Sequence, residues 1–180
     1  KPLYAAYDSP EAKVVPPSYV EPGKLWTACN VHVVVMMLNT KQLAGLPAPK
    51  TWKDLADPRW KGKIIVADPN SSSTAYTVLW GASKVLDAEG FKVLAKNVTV
   101  SRNASAVLNA VAQGEYAIGL TFESNAYAYV AGGQKEIKLV YAEDGTFVTD
   151  ESVVLVKNAP SAVAARALYD LLLSKDMQVE

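Results

Sequence analysis

Asp68-Pro69-Asn70-Ser71-Ser72-Ser73-Thr74 is the stretch of this chain best equipped for chemistry. Its hydroxyl side chains follow the strand-like run Lys63 to Ala67 and precede an amphipathic run. A helix starting there presents unpaired backbone N–H groups and the positive end of its dipole. Hydroxyls beside those donors make a cradle for phosphate, phosphonate or carboxylate. The plainer alternative is that one serine caps the helix and the rest are solvated, since a cap needs only one hydroxyl. A second helix start is Ser101-Arg102-Asn103-Ala104-Ser105, where Arg102 offers a fixed charge and a planar fork. The alternative there is a surface arginine beside an ordinary Asn103 cap. A third is Thr121-Phe122-Glu123-Ser124-Asn125, where Glu123 can accept from polyol hydroxyls or simply favour a helix N-terminus. Three such junctions in succession can converge on one cleft at the carboxyl ends of strands, where open α/β sheets bind ligands.

Other chemistry finds little support. Cys29 and His32 are three apart in a valine-rich run, so an extended backbone points them to opposite faces and disfavours a local dyad. A single cysteine and a single histidine exclude a Cys-rich zinc site and leave little for a multi-histidine centre. No serine sits in a GxSxG elbow, and neither a P-loop nor a GxGxxG fingerprint is present. Asp150-Glu151 reads as solvated loop charge. The 18 Lys and Arg balance the 18 Asp and Glu, which speaks against a nucleic-acid or polybasic membrane partner. No cofactor and no catalytic residue are predicted.

The elements that must position these junctions come from a chain of 180 residues, half of them hydrophobic. That is ordinary globular composition. The first 24 residues are rich in proline and predict an extended surface segment. Val31 to Leu38 predicts a strand buried on both faces. Thr51 predicts the N-cap of a short helix through Leu55, with Asp54 completing a capping-box variant and Asp57-Pro58 ending it. Lys63 to Ala67 predicts a strand, followed by a helix whose stripe is Ala75, Val78, Leu79, Ala82, Val85 and Leu86. Val98 and Val100 predict an extended link, and Asn103 a helix carrying Val107, Leu108 and Val111 that Gly114 terminates. Tyr116 to Thr121 predicts a strand, Glu123 to Ala131 a helix, and Ile137 to Tyr141 and Val153 to Val156 further strands. Pro160 predicts N1 of a last helix with Val163, Ala167, Leu168, Leu171 and Leu172 on one face. Strands alternating with helices argue an α/β fold with a mainly parallel sheet flanked by helices. No stretch reaches the roughly 18 apolar residues of a membrane span.

Pro49-Lys50-Thr51-Trp52-Lys53-Asp54-Leu55-Ala56-Asp57-Pro58-Arg59-Trp60-Lys61-Gly62-Lys63-Ile64 resembles a run found in periplasmic solute-binding proteins of ABC importers. The branch is the one that binds iron(III), phosphonates and sugar phosphates. Ser9 to Lys13 with Trp26, Leu38 to Lys41, the serine junction, Gly114 to Leu120 and Val154 to Pro160 agree with it. The resemblance implies a type II periplasmic binding fold: two lobes, a hinge, and a ligand held between them as in a Venus flytrap. It implies that residues 1–44 are a lobe-one segment and first crossing strand, 45–146 lobe two, and 147–180 a return crossing strand and lobe-one helix. Members of that family are substantially longer, so the chain is expected to be a fragment, and it begins at Lys1 without an initiator methionine. Apolar surface exposed on its terminal segments would favour self-association.

Iron-binding members place two adjacent tyrosines soon after the Gly-Leu strand. Here that stretch reads Thr121-Phe122-Glu123-Ser124-Asn125-Ala126-Tyr127-Ala128-Tyr129, and the adjacent pair is absent. The resemblance therefore implies capture of a small anionic solute, an organophosphate such as a sugar phosphate or phosphonate, for delivery to an ABC permease. The rivals are ferric iron, a polyamine-like cation, or a sensory domain reusing the fold. The anion role is carried to Ser72, Ser73 and Thr74 with Ser71 as a cap, and Glu123 meets the non-phosphate end. Arg102, Asn103, Trp26 and Asn30 join them near the cleft. The expected location is periplasmic, or extracytoplasmic with a lipid anchor in a Gram-positive source.

Overall fold

The computed structural model describes residues 3–178, which divide into two compact units. The larger, His32–Val148, holds the main sheet. The smaller combines the stretch up to Val31 with that from Thr149 onward.

In chain order the elements are β1 (Tyr4–Ala5), β2 (Thr27–Asn39), α1 (Trp52–Leu55), β3 (Ile64–Ala67), α2 (Ser73–Val85), α3 (Ala88–Asn97) and β4 (Val98–Ser101). There follow α4 (Ala104–Ala112), β5 (Ile118–Phe122), α5 (Glu123–Ala131), β6 (Ile137–Val140), β7 (Val148–Val153), β8 (Leu155–Val156), α6 (Ala162–Leu173) and α7 (Lys175–Gln178).

The main sheet has the order β4-β3-β5-β2-β6, with β7 also paired to β2. At its heart β3 runs parallel to both β4 and β5. β2 then adds antiparallel to β5, with Val34 opposite Phe122, and antiparallel to β6. The chain leaves β3 toward β4 and returns past β3 to reach β5. α2 and α4 both pack against β3 and β5. Strands covered on both faces read as continuous apolar runs, and β3 and β5 are buried at every position. Gly119 in β5 is required by that packing, since a Cβ there would lie 2.9 Å from Val111 and 3.1 Å from Val107 of α4.

Local signals place most helix ends. The Thr51 and Asp54 capping box closes in both directions. Asn103 caps α4 and Gly114 follows it at φ +82°, a left-handed turn that favours glycine. Sequence signals do not predict α3. Its N-cap is Asp87, which accepts from the Gly90 N–H at 2.7 Å, and Phe91 and Leu94 turn its apolar side to the core.

The smaller unit has its own core of Leu155, Tyr169 and Leu173, with Ala5, Tyr7, Cys29 and Ala165 packed around it. Here the expected face of the last helix is corrected. Ala165, Tyr169 and Leu173 turn inward, while Val163 is 81% exposed and Leu168 and Leu171 are also exposed. α6 is apolar nearly all round, so periodicity could not choose its face. Tyr169 instead anchors it by donating to Thr27 Oγ1 at 2.9 Å, and Asp170 accepts from Tyr7 at 2.7 Å and Ser9 at 2.6 Å. Ser161 is the cap of this helix, so Pro160 lies one residue outside it rather than at N1. The expected strand at 153–156 is two, β7 and β8, and Asp150 and Glu151 lie in β7 rather than in a loop. The proline-rich opening is not simply extended. It forms short 3₁₀ turns at Pro10–Val14 and Pro17–Tyr19.

Candidate functional site

Because β4, β3 and β5 are adjacent and parallel, their C-terminal ends fall along one edge of the sheet, and all three polar junctions leave from that edge. The Asp68 N–H donates to the Ser101 carbonyl at 2.8 Å, tying the first junction to the second.

At the first junction the cap is Ser72, not Ser71. Ser72 Oγ accepts from the Ala75 N–H at 3.3 Å, whereas the Ser71 and Ser72 N–H groups both turn back onto the Asp68 carbonyl. A hydroxyl that accepts still has its own proton to donate, so capping leaves Ser72 able to hold an anion. Ser73 is exposed at the first helical position and Thr74 is half-buried, and among the described residues neither hydroxyl has a protein partner. The Asp68 carboxylate is opposed to any anion here. Its Oδ1 is held by the Asn70 N–H and side-chain amide, both at 2.9 Å.

At the second junction Asn103 Oδ1 accepts from the Ala106 N–H at 2.8 Å, which leaves its NH₂ group for a ligand. Arg102 is exposed beside it. At the third, β5 passes directly into α5, and Phe122 in the N-cap position makes no side-chain cap. Glu123 is half-buried and accepts from the Tyr141 hydroxyl. That hydrogen bond, with burial and the carboxylate charge, pushes the Tyr141 phenol up to about 12. The His32 ring stacks on Phe122 with centroids 4.7 Å apart, and its Nδ1 lies 3.3 Å from Ser124 Oγ. The Thr121 hydroxyl is buried without a protein partner.

Tyr141 and His32 are the residues that sequence reasoning did not bring to this edge. Tyr141 is 18 residues from Glu123, and His32 is 92 from Ser124, so no local spacing signals either pair. Trp26 and Asn30 belong to the smaller unit. There Trp26 is half-buried just ahead of β2, and the Asn30 side chain accepts from the Val31 N–H at 2.8 Å and donates to Glu151 at 3.5 Å. A cavity of about 370 Å³ between Leu46 and Trp60 opens near the start of β3, at the other end of the sheet from these junctions.

The arrangement is mainly one of donors and acceptors, and its one described hydroxyl beside an imidazole is that of Ser124 at His32. Residues 1–179 match the family described as bacterial extracellular solute-binding protein. The chain belongs to that family. Its members bind solutes and are not enzymes. An uncharacterized protein of Haemophilus influenzae is 36% identical over 158 residues, covering 78% of this chain and 43% of that protein. The Fe(3+)-binding periplasmic protein of Serratia marcescens is 25% identical, covering 98% of this chain and 54% of its own length. Among solved structures, the periplasmic binding protein AfuA of Actinobacillus pleuropneumoniae, with exogenous fructose-6-phosphate bound, superposes with a TM-score of 0.85. It is 30% identical, over 98% of this chain and 59% of AfuA. The chain thus spans about half the length of the curated relatives it matches. Among the described residues no helix is long and apolar enough to cross a membrane.

Proposed function

We propose that this chain supplies much of the ligand-binding body of an extracytoplasmic solute-binding protein, which captures a small organophosphate for an ABC permease. The observation that carries the reading is the alignment of three polar helix starts on one sheet edge, with the donors of Ser72, Ser73, Thr74 and Asn103 there. Backbone N–H groups and hydroxyls hold an anion without a formal countercharge, and Arg102 adds one. Glu123 takes the hydroxyl-bearing end. The likeness to AfuA, with fructose-6-phosphate bound, supports this choice of solute. Residues 45–146 would be lobe two, and residues 1–44 and 147–180 would serve lobe one and the crossings. Lobe closure would present a shielded ligand to the membrane subunits in the periplasm.

Ferric iron is the rival, favoured by the name of the Serratia relative. It calls for hard anionic oxygens, and Phe122 at the end of β5 and Ala126 in α5 supply none. Thermal unfolding with a ligand panel separates the two. Phosphate, fructose 6-phosphate, aminoethylphosphonate and sulfate at ~10–50 mM, and ferric citrate at lower concentration, are compared at matched ionic strength. A tenfold excess over Kd stabilises by about 1.4 kcal/mol, or about 3–6 °C for this size. A shift with the phosphates that is lost in Ser73→Ala/Thr74→Ala supports the reading. A shift with ferric citrate alone overturns it in favour of iron.

A further inference from the structure

The contact between Tyr141 and Glu123 has no role in the reading so far, and it bears on selectivity. Glu123 is the first residue of α5, and Tyr141 immediately follows β6, so the bond spans two elements of the larger unit. The phenol donates to Oε1. A carboxylate has two oxygens and about four lone-pair positions, so Oε2 remains available. Tyr127 stands four residues after Glu123, on the same face of α5. It is 57% exposed and close enough to influence the Tyr141 phenol. The carboxylate therefore lies against the Tyr141 phenol, with Tyr127 near that phenol, at the edge where the polar helix starts converge.

A free glutamate at that edge would sample several rotamers and have to be ordered by the ligand. A glutamate already held through one oxygen has lost that freedom beforehand, so a ligand pays less to use the other. The fixed oxygen is an acceptor only. It suits a hydroxyl donor and discriminates against a second anionic group. We infer that Tyr141 is a positioning residue: it holds Glu123 so that its remaining oxygen selects ligands carrying a hydroxyl-bearing organic part over bare phosphate. This inference rests on the organophosphate reading above. The raised phenol of Tyr141 agrees with it, because the carboxylate beside it opposes phenolate formation.

Two measurements test it. The first needs no ligand: phenol ionisation followed by ultraviolet absorbance, comparing the chain with Tyr141→Phe and Glu123→Gln. One tyrosine titrating near 12 should vanish in Tyr141→Phe and move toward the ordinary value of about 10 in Glu123→Gln. No difference between Glu123→Gln and the parent overturns the inference. The second compares apparent affinities for fructose 6-phosphate and inorganic phosphate from ligand-dependent thermal shifts. Tyr141→Phe should weaken fructose 6-phosphate by about three- to ten-fold and leave phosphate unchanged. Loss of both in equal measure marks a merely structural role and overturns it, as does an unchanged ratio. A parent chain that prefers fructose 6-phosphate no more than phosphate sinks the organophosphate reading itself, and the selectivity role with it.

Discussion

The side-chain amide of Asn97 donates to the Leu55 carbonyl oxygen at 2.9 Å, and also reaches the Asp57 carbonyl at 2.8 Å. Asn97 closes α3 and is only 2% exposed; Leu55 ends the short helix α1 and Asp57 lies two residues beyond it. The bond replaces water where water cannot reach. Asn97→Ala leaves the buried Leu55 carbonyl without this partner, while the Asp57 carbonyl keeps the Trp60 N–H, at a cost of about 1–3 kcal/mol. The expected outcome is a fall in Tm of about 2–12 °C, read by calorimetry. An unchanged Tm would mean that water takes over the Leu55 carbonyl.

Gly81 lies in α2 under the Phe147 ring, and a Cβ at that position would come within 2.3 Å of it. Phe147 in turn packs against Trp52, ring centroids 5.7 Å apart. Gly81→Ala, normally favourable in a helix, should here destabilise by about 1–3 kcal/mol through overpacking. Pairing it with Phe147→Leu should recover part of the loss, because the two changes share one site. Urea unfolding of the two single variants and the double variant measures the coupling.

Ser72 and Ser73 are neighbours with different work. Ser72→Ala removes the cap of α2 and should cost about 0.5–2 kcal/mol. Ser73→Ala removes an exposed hydroxyl and should leave stability within about 0.5 kcal/mol. Stabilisation by phosphate should nevertheless fall in both. Denaturant titration with and without phosphate separates capping from anion binding.

Acid should weaken the larger unit partly through Asp54. Burial pushes its carboxyl up, but the Lys50 N–H, the Thr51 hydroxyl and the Thr51 N–H together hold it below the ordinary range. A value lower in the folded chain than in the unfolded one stabilises above the unfolded value, near 4, and that contribution fades as pH falls through the lowered value. Asp57 behaves alike, held down by its bond to Arg59. Asp54→Asn should flatten the stability curve below about pH 4, measured by urea unfolding. Tyr141 acts in the opposite sense: its raised phenol contributes below about 10, and the contribution is lost as pH rises toward about 12.

Features that depend on a few neighbouring residues can be read from the chain alone. The Thr51–Asp54 capping box, the Asn103 cap, the left-handed Gly114 and the start of α5 at Glu123 were all legible. Caps and turns act over about four residues, so their cause lies wholly within the local text. The tryptophan-rich run from Pro49 to Ile64 carried the family for the same reason. Features that compare distant segments are set by packing of the whole chain. That packing turned Tyr169 rather than Leu168 into the core, because Thr27, 142 residues away, supplies the buried acceptor for its hydroxyl. It set β2 antiparallel beside β5, a choice among strand partners that an all-apolar run does not encode. It also brought Tyr141 to Glu123 and gave the Ser72 hydroxyl the capping role that its neighbours could equally have filled. Hydrophobic periodicity says that a face is buried. Which neighbour buries it, and which polar atom then needs a partner, follows only when the whole chain has packed.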